Sequence, residues 1–79
     1  MFISPGGSIE FKFITALDYD ANNNLIYQGT AYPSITKASA GWRIKKFTYT
    51  SGNLTDIQFA DGNDNYDNVW NDRAIYTYS

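Results

Sequence analysis

From Ser8 to Tyr19 the chain reads SIEFKFITALDY, and its side chains sort into two sets by alternation. Ile9, Phe11, Phe13, Thr15 and Leu17 fall on one side of an extended chain; Glu10, Lys12, Ile14, Ala16 and Asp18 fall on the other. A period of two predicts a strand. The residues before it, SPGG, read as a turn or joint, so Met1–Gly7 is expected to be an N-terminal arm and residues 8–79 a single β domain. DANNN (Asp20–Asn24) predicts a turn, because Asn and Asp tolerate left-handed backbone and bond their own main chain. LIYQGTAYP predicts a second strand, with Gly29 marking a bulge or a close approach and Pro33 ending the ladder or lying on an edge. SITKASAGW fits either a short helical turn capped by Ser34 or a crossover loop. WRIKKFTYT alternates again, with Trp42, Ile44, Lys46 and Thr48 on one face and Arg43, Lys45, Phe47 and Tyr49 on the other. SGN is a hairpin turn, LTDIQFA a fourth strand and RAIYTYS a fifth.

An internal echo accompanies this pattern. YDANNNLIYQG from Tyr19 and YTSGNLTDIQF from Tyr49 both run from a tyrosine through a polar turn ending in Asn to Leu and a strand. Two hairpins of similar design, facing one another, would account for it. Short antiparallel strands throughout give the expected class: all-β, a small sandwich or barrel of about five strands.

Composition narrows the chemistry. With 79 residues, one small domain is expected, burying about 60–65% of its unfolded surface. Domains this small usually lean on disulfides, a metal or a partner. There is no Cys and no His, so thiolate sites, disulfides and the commonest general base are excluded. A net charge of -2 argues against a nucleic-acid binder, and Arg43, Lys45 and Lys46 read as a solvated strand face. No apolar run is long enough for a membrane span, and the start lacks the pattern of a secretory signal.

The densest chemical stretch is FADGNDNYDNVWNDRA, Phe59–Ala74, with four Asp and four Asn in sixteen residues. Asp61, Asn63, Asn65, Asp67 and Asp72 echo the ligand spacing of a calcium loop. Tyr66 stands where that loop needs glycine, and Asp72 replaces its bidentate Glu. No cofactor is therefore expected, with structural calcium as the alternative and main-chain bonding within a long turn as the plain reading. Arg73 has Asp67 or Asp72 as prospective partner, and Val69 and Trp70 as prospective anchors in the core. Alternatively Tyr66 and Trp70 form a platform on which a sugar stacks while Asp and Asn bond its hydroxyls. Asn53-Leu54-Thr55 fits the glycosylation acceptor pattern, a short motif frequent by chance. Paired carboxylates can hydrolyse glycosides, but they need a site that separates their pKa values, which so small a domain hardly provides. No enzyme is expected.

Three segments together carry a resemblance: LDYDANNNLIYQGTAYP, GWRIKKFTY and ADGNDNYDNVWNDRAIYTYS. They resemble a family of short proteins encoded by tailed bacteriophages and abundant in environmental viral sequence. Its pattern is a Y-D-x-x-G-N-x-x-Y-x-G-x-A hairpin, then W-x-I-x-K, then F-D-x-V-W-x-D-R with a Y-S ending. The likeness spans about Leu17 to Ser79; Asn23 and Tyr66 stand where glycine and phenylalanine are usual, and Met1–Ile14 lies outside it. The resemblance implies a virion-associated structural protein, a tail, fibre or decoration block whose partners are copies of itself or other virion proteins. Ile9, Phe11 and Phe13 would then be knobs of an arm added to a neighbour's sheet edge, or would pair within their own domain. A glycan-binding module and a subunit of an extracellular filament are the other functions carried forward.

Overall fold

The computed structural model describes residues 12–79. Within them the chain is all-β, antiparallel and five-stranded, as the alternation predicts: β1 (Ile14–Tyr19), β2 (Leu25–Ala31), β3 (Ala40–Thr50), β4 (Asn53–Phe59) and β5 (Asn68–Val69). The strands lie side by side in the order β1-β2-β3-β4, and β5 joins β3 where β4 has bent away. The sheet is open, with β1 and β4 at its two edges.

The two echoing hairpins are neighbours in this one sheet rather than opposed layers. Their tips lie at the same end, since β2 runs antiparallel to both β1 and β3. Each tip uses its own turn chemistry. In the first, Asp20 Oδ1 accepts the backbone N–H groups of Asn22 and Asn24, at 2.8 and 3.0 Å, and Asn23 takes a positive φ of 63°. In the second, Thr50 pairs with Asn53 around a two-residue loop, Ser51-Gly52, with φ of 52° and 83°. Two positive φ values in succession give the turn whose twist suits a hairpin.

At the other end, the β2–β3 connection and the C-terminal segment close over one face through Ile35, Tyr76 and Tyr78. The β2–β3 connection is a loop, not a helical turn capped by Ser34. Ser34 adopts a positive φ of 75°, and Ile35 and Ser39 donate their N–H groups to the carbonyls of Tyr32 and Thr36. Trp70–Asp72 forms a single 3-10 turn, and the chain then bends back. The predicted fifth strand over Arg73–Ser79 is therefore not formed; Arg73 and Ile75 close turns on Trp70 and Asp72 instead. Only the end of this segment runs alongside the sheet, through the Ala60–Tyr78 bridge and the paired bonds between Phe59 and Ser79. The fifth strand is the two-residue β5, whose length gives no periodic signal.

Ala16, Ala31, Trp42, Ile44, Ala60 and Trp70 make the core, with Tyr27, Ile35, Tyr76 and Tyr78 packed around it. Trp42 and Trp70 meet at 5.9 Å between ring centroids, tilted by 42°. Such aromatic pairs add about 0.5–1.5 kcal/mol beyond their burial. Ala16 and Gly29 are direct cross-strand partners under these rings. A Cβ on Gly29 would lie 2.6 Å from Trp70 Cε3 and 3.0 Å from Trp42 Cε3. Gly29 is thus a close-approach point and not a bulge, since the β1–β2 register is unbroken through it. In β1 the covered face is that of Ala16, while Leu17 on the opposite face is exposed. Two indoles resting on one patch of sheet need a small floor, and Ala16, Gly29 and Ala31 supply it.

Candidate functional site

The residues singled out in the Asp/Asn-rich stretch divide between the two faces of the sheet. Trp70 is 4% exposed and belongs to the core. Its ring lies on Gly29 and Trp42, with the Arg73 guanidinium 4.6 Å from its centroid. Tyr66 sits across the sheet, stacked on Phe13 at 5.7 Å and meeting Tyr32 at 5.5 Å. The joint Tyr66–Trp70 sugar platform is corrected accordingly: the sheet lies between the two rings, and Trp70 has no free face.

Arg73 departs from expectation too. Its partner is Asp18 on β1, with Nε 2.9 Å from Oδ2, and not Asp67 or Asp72. The bend after the 3-10 turn carries Arg73 over the covered face, where Asp18 projects beside Ala16. A contact across 55 residues leaves no local signal. Arg73 Nη1 also donates to the Trp70 carbonyl at 3.2 Å, and its own carbonyl accepts from Tyr78 Oη at 2.7 Å. Arg73 thereby ties the C-terminal segment to the edge strand. Tyr78 lies under that segment, and burial, reinforced by Tyr27 and Tyr76, holds its phenol well above the usual tyrosine range.

Two of the calcium-type residues, Asp61 and Asn63, accept hydrogen bonds within the stretch itself. Asp61 Oδ2 accepts from Asn68 Nδ2 at 2.8 Å, and Asn63 Oδ1 accepts from the backbone N–H of Asn65 at 3.0 Å. Among the described residues no three acidic side chains gather where a cation would sit, so Asp67 and Asp72 join no such cluster. Asn63 acts as the plain reading expects, bonding the main chain within the turn, whereas Asp61, at a φ of 58°, bonds the side chain of Asn68. Asn68 is buried beneath them, its Oδ1 without a protein partner. Next to it the Val69 N–H donates to Tyr76 Oη at 2.8 Å.

The basic trio is not a plain solvated face. Arg43 lies 5.1 Å from the Phe59 ring centroid and 6.0 Å from that of Tyr66; Lys45 sits over Phe59 and Lys46 over Tyr78. Their aliphatic stems cover aromatic surface while the cations stay near ring faces.

What remains is the second face of the sheet. Alternation and register place Phe13, Leu17, Tyr32, Phe47, Ile57 and Phe59 on it, opposite the indole core. Phe13 is 43% exposed, Leu17 48%, Tyr32 49% and Ile57 51%, with Tyr19 and Leu54 similarly exposed near the tips. Phe13, Tyr32 and Tyr66 form a ring cluster at one end of this face. Of the predicted arm knobs, Phe13 is therefore on the open face, while Ile9 and Phe11, like the arm itself, lie outside the described residues. Comparison with protein-family models, curated proteins and solved structures returns no match.

Proposed function

We propose that the chain is a non-enzymatic structural protein of a tailed-phage particle, a tail, fibre or decoration block that joins copies of itself or other virion proteins through β-interfaces. One observation carries this reading: among the described residues the sheet has a covered face and an open one, and the open one bears large apolar side chains that water does not favour. An exposed apolar surface of this kind on a small domain marks an interaction face. The sequence resemblance supplies the setting, a virus-encoded particle protein. Arg43 and Lys45 lie on the same face, on the inner strand β3, with their cations over the Phe59 and Tyr66 rings. The sugar-binding alternative loses its support with Trp70 in the core.

Light scattering across a concentration series tests the assembly reading. Molar mass should rise with concentration for the natural chain. Leu17→Lys combined with Ile57→Lys should hold the mass near that of one chain at the same concentrations, with little change in melting temperature because both positions are exposed. A single-chain mass for the natural protein at every concentration, in metal-free buffer, would reject the reading.

A further inference from the structure

The two edges of the sheet are built differently. At β4, the C-terminal segment pairs with Phe59 and reaches Asp61, closing the lower part of the edge. The upper part carries a register shift against β3 between Thr48 and Tyr49, and a charge at Asp56. Bulges and charges are the devices by which proteins keep edges from pairing. At β1 no bulge falls on the strand itself, and its one charge, Asp18, is held by Arg73 on the covered face. Ile14, Thr15, Ala16 and Leu17 carry no charge, and their register with β2 is regular. The shift near Tyr19 skips Ile26 on β2 and leaves β1 itself even. Among the described residues nothing pairs with the outer side of β1.

We infer that this edge takes a second copy of the chain, β1 against β1 antiparallel, joining two four-strand arrays into one continuous eight-strand sheet. The inference rests on the assembly reading above and names its partner. A two-fold axis through the sheet keeps covered face with covered face and open face with open face. Opposed residues share a face in an antiparallel pair, so the axis must pass through a residue and not between two. With the axis at Ala16, Thr15 opposes Leu17, Phe13 opposes Tyr19 and Lys12 opposes Asp20, each pair occurring twice. Of the registers that set Lys12 against an acid, this one uses Asp20, which is in no ion pair among the described residues. Lys12 meets an acid at each end of the pairing, and the Asp20 turn bonds both fall on its Oδ1. With the axis at Thr15, Lys12 would meet Asp18, which Arg73 already holds at 2.9 Å. With the axis at Leu17, Lys12 would meet Asn22, which carries no charge. The Phe13–Tyr19 pairs bring together two rings that one chain leaves half exposed, and cross-strand aromatic pairs contribute roughly 0.2–1 kcal/mol each.

Engineered cysteines test the pairing in the full chain, which has none of its own. Thr15 and Leu17 are both exposed, so their replacement leaves the fold intact. Directly opposed Cβ atoms stand about 4.5–5.5 Å apart, within reach of a disulfide after a small shift. The double variant Thr15→Cys/Leu17→Cys should convert largely to a reductant-sensitive covalent dimer under mild oxidation, and neither single variant should. Multimers by light scattering without this cross-link would overturn the edge pairing while leaving the assembly reading standing. Efficient cross-linking of Thr15→Cys or Leu17→Cys alone would overturn the register and with it the proposal. A single-chain mass throughout would remove both readings together.

Discussion

Gly29 and Trp70 show how one residue sets the terms for another 41 positions away, counting from 29 to 70. The indole occupies the space where a Cβ would project, so Gly29→Ala forces the ring 2.6 Å away to move. Trp42 backs that ring, and its own indole N–H is fixed on the Thr36 carbonyl at 2.9 Å. Neither ring has slack, and Gly29→Ala should destabilise the protein by about 1–3 kcal/mol, as overpacking does; urea denaturation read by tryptophan fluorescence measures it. Tyr78 makes a separate prediction. Its phenol is held protonated by burial, above the ordinary value of 10.0. Below that value folded and unfolded chains both keep the proton. Above it the unfolded chain sheds the proton while the folded one retains it, so stability falls as pH rises past about 10. Melting curves from pH 9 to 11 should show a shallower alkaline decline for Tyr78→Phe than for the natural chain, at the expense of the hydroxyl's bond to the Arg73 carbonyl.

Among the elements, the hairpins were the most legible part of the chain. Polar turns rich in Asn, Ser and Gly stand between alternating segments, and both turns form where their residues permit left-handed backbone. Gly52 illustrates the point. A Cβ there would meet nothing within 4 Å, so the cost of Gly52→Ala is purely one of backbone conformation at φ of 83°. It should lower stability by about 1 kcal/mol, which thermal unfolding can detect. Other features were hidden for physical reasons. In β1 the larger side chains lie on the open face, because the covered face must be shallow beneath two indoles; alternation reveals two faces but not which is buried. The C-terminal residues alternate like a strand yet fold as turns, since Trp70 must dip onto Gly29 and Tyr78 must reach Tyr27. Arg73 had two acids nearby in sequence, and tertiary packing gave it a third, Asp18.

For the molecule as a whole, the fold is a single sheet clamped on one side at one end. The candidate surface was only partly readable: Phe13 was singled out as an interface residue, and Tyr66 as an exposed aromatic, but their meeting with Tyr32 across the sheet depends on β1, β2 and the loop before β5 arriving together. The acidic stretch, which drew attention by its composition, serves local turns and the ends of β5. With 79 residues and few large side chains fully buried, there is little interior to spare for a cavity or a catalytic cleft. Among the described residues, the sheet's open face and its unpaired edge adjoin one another along β1.

The placement of both hairpin tips at the end away from the indole pair has a mechanical consequence. The molecule is 48 Å long and 22 Å in its thinnest direction. Separating β3 and β4 from their tip requires the loss of ladder bonds, of the Thr55 hydroxyl's bond to the Thr48 carbonyl and of half-solvated side chains such as Leu54 and Ile57. Separating them from the other end means lifting a tryptophan off its glycine seat. Local opening is therefore expected to begin at the Ser51-Gly52 turn and to fade toward Trp42.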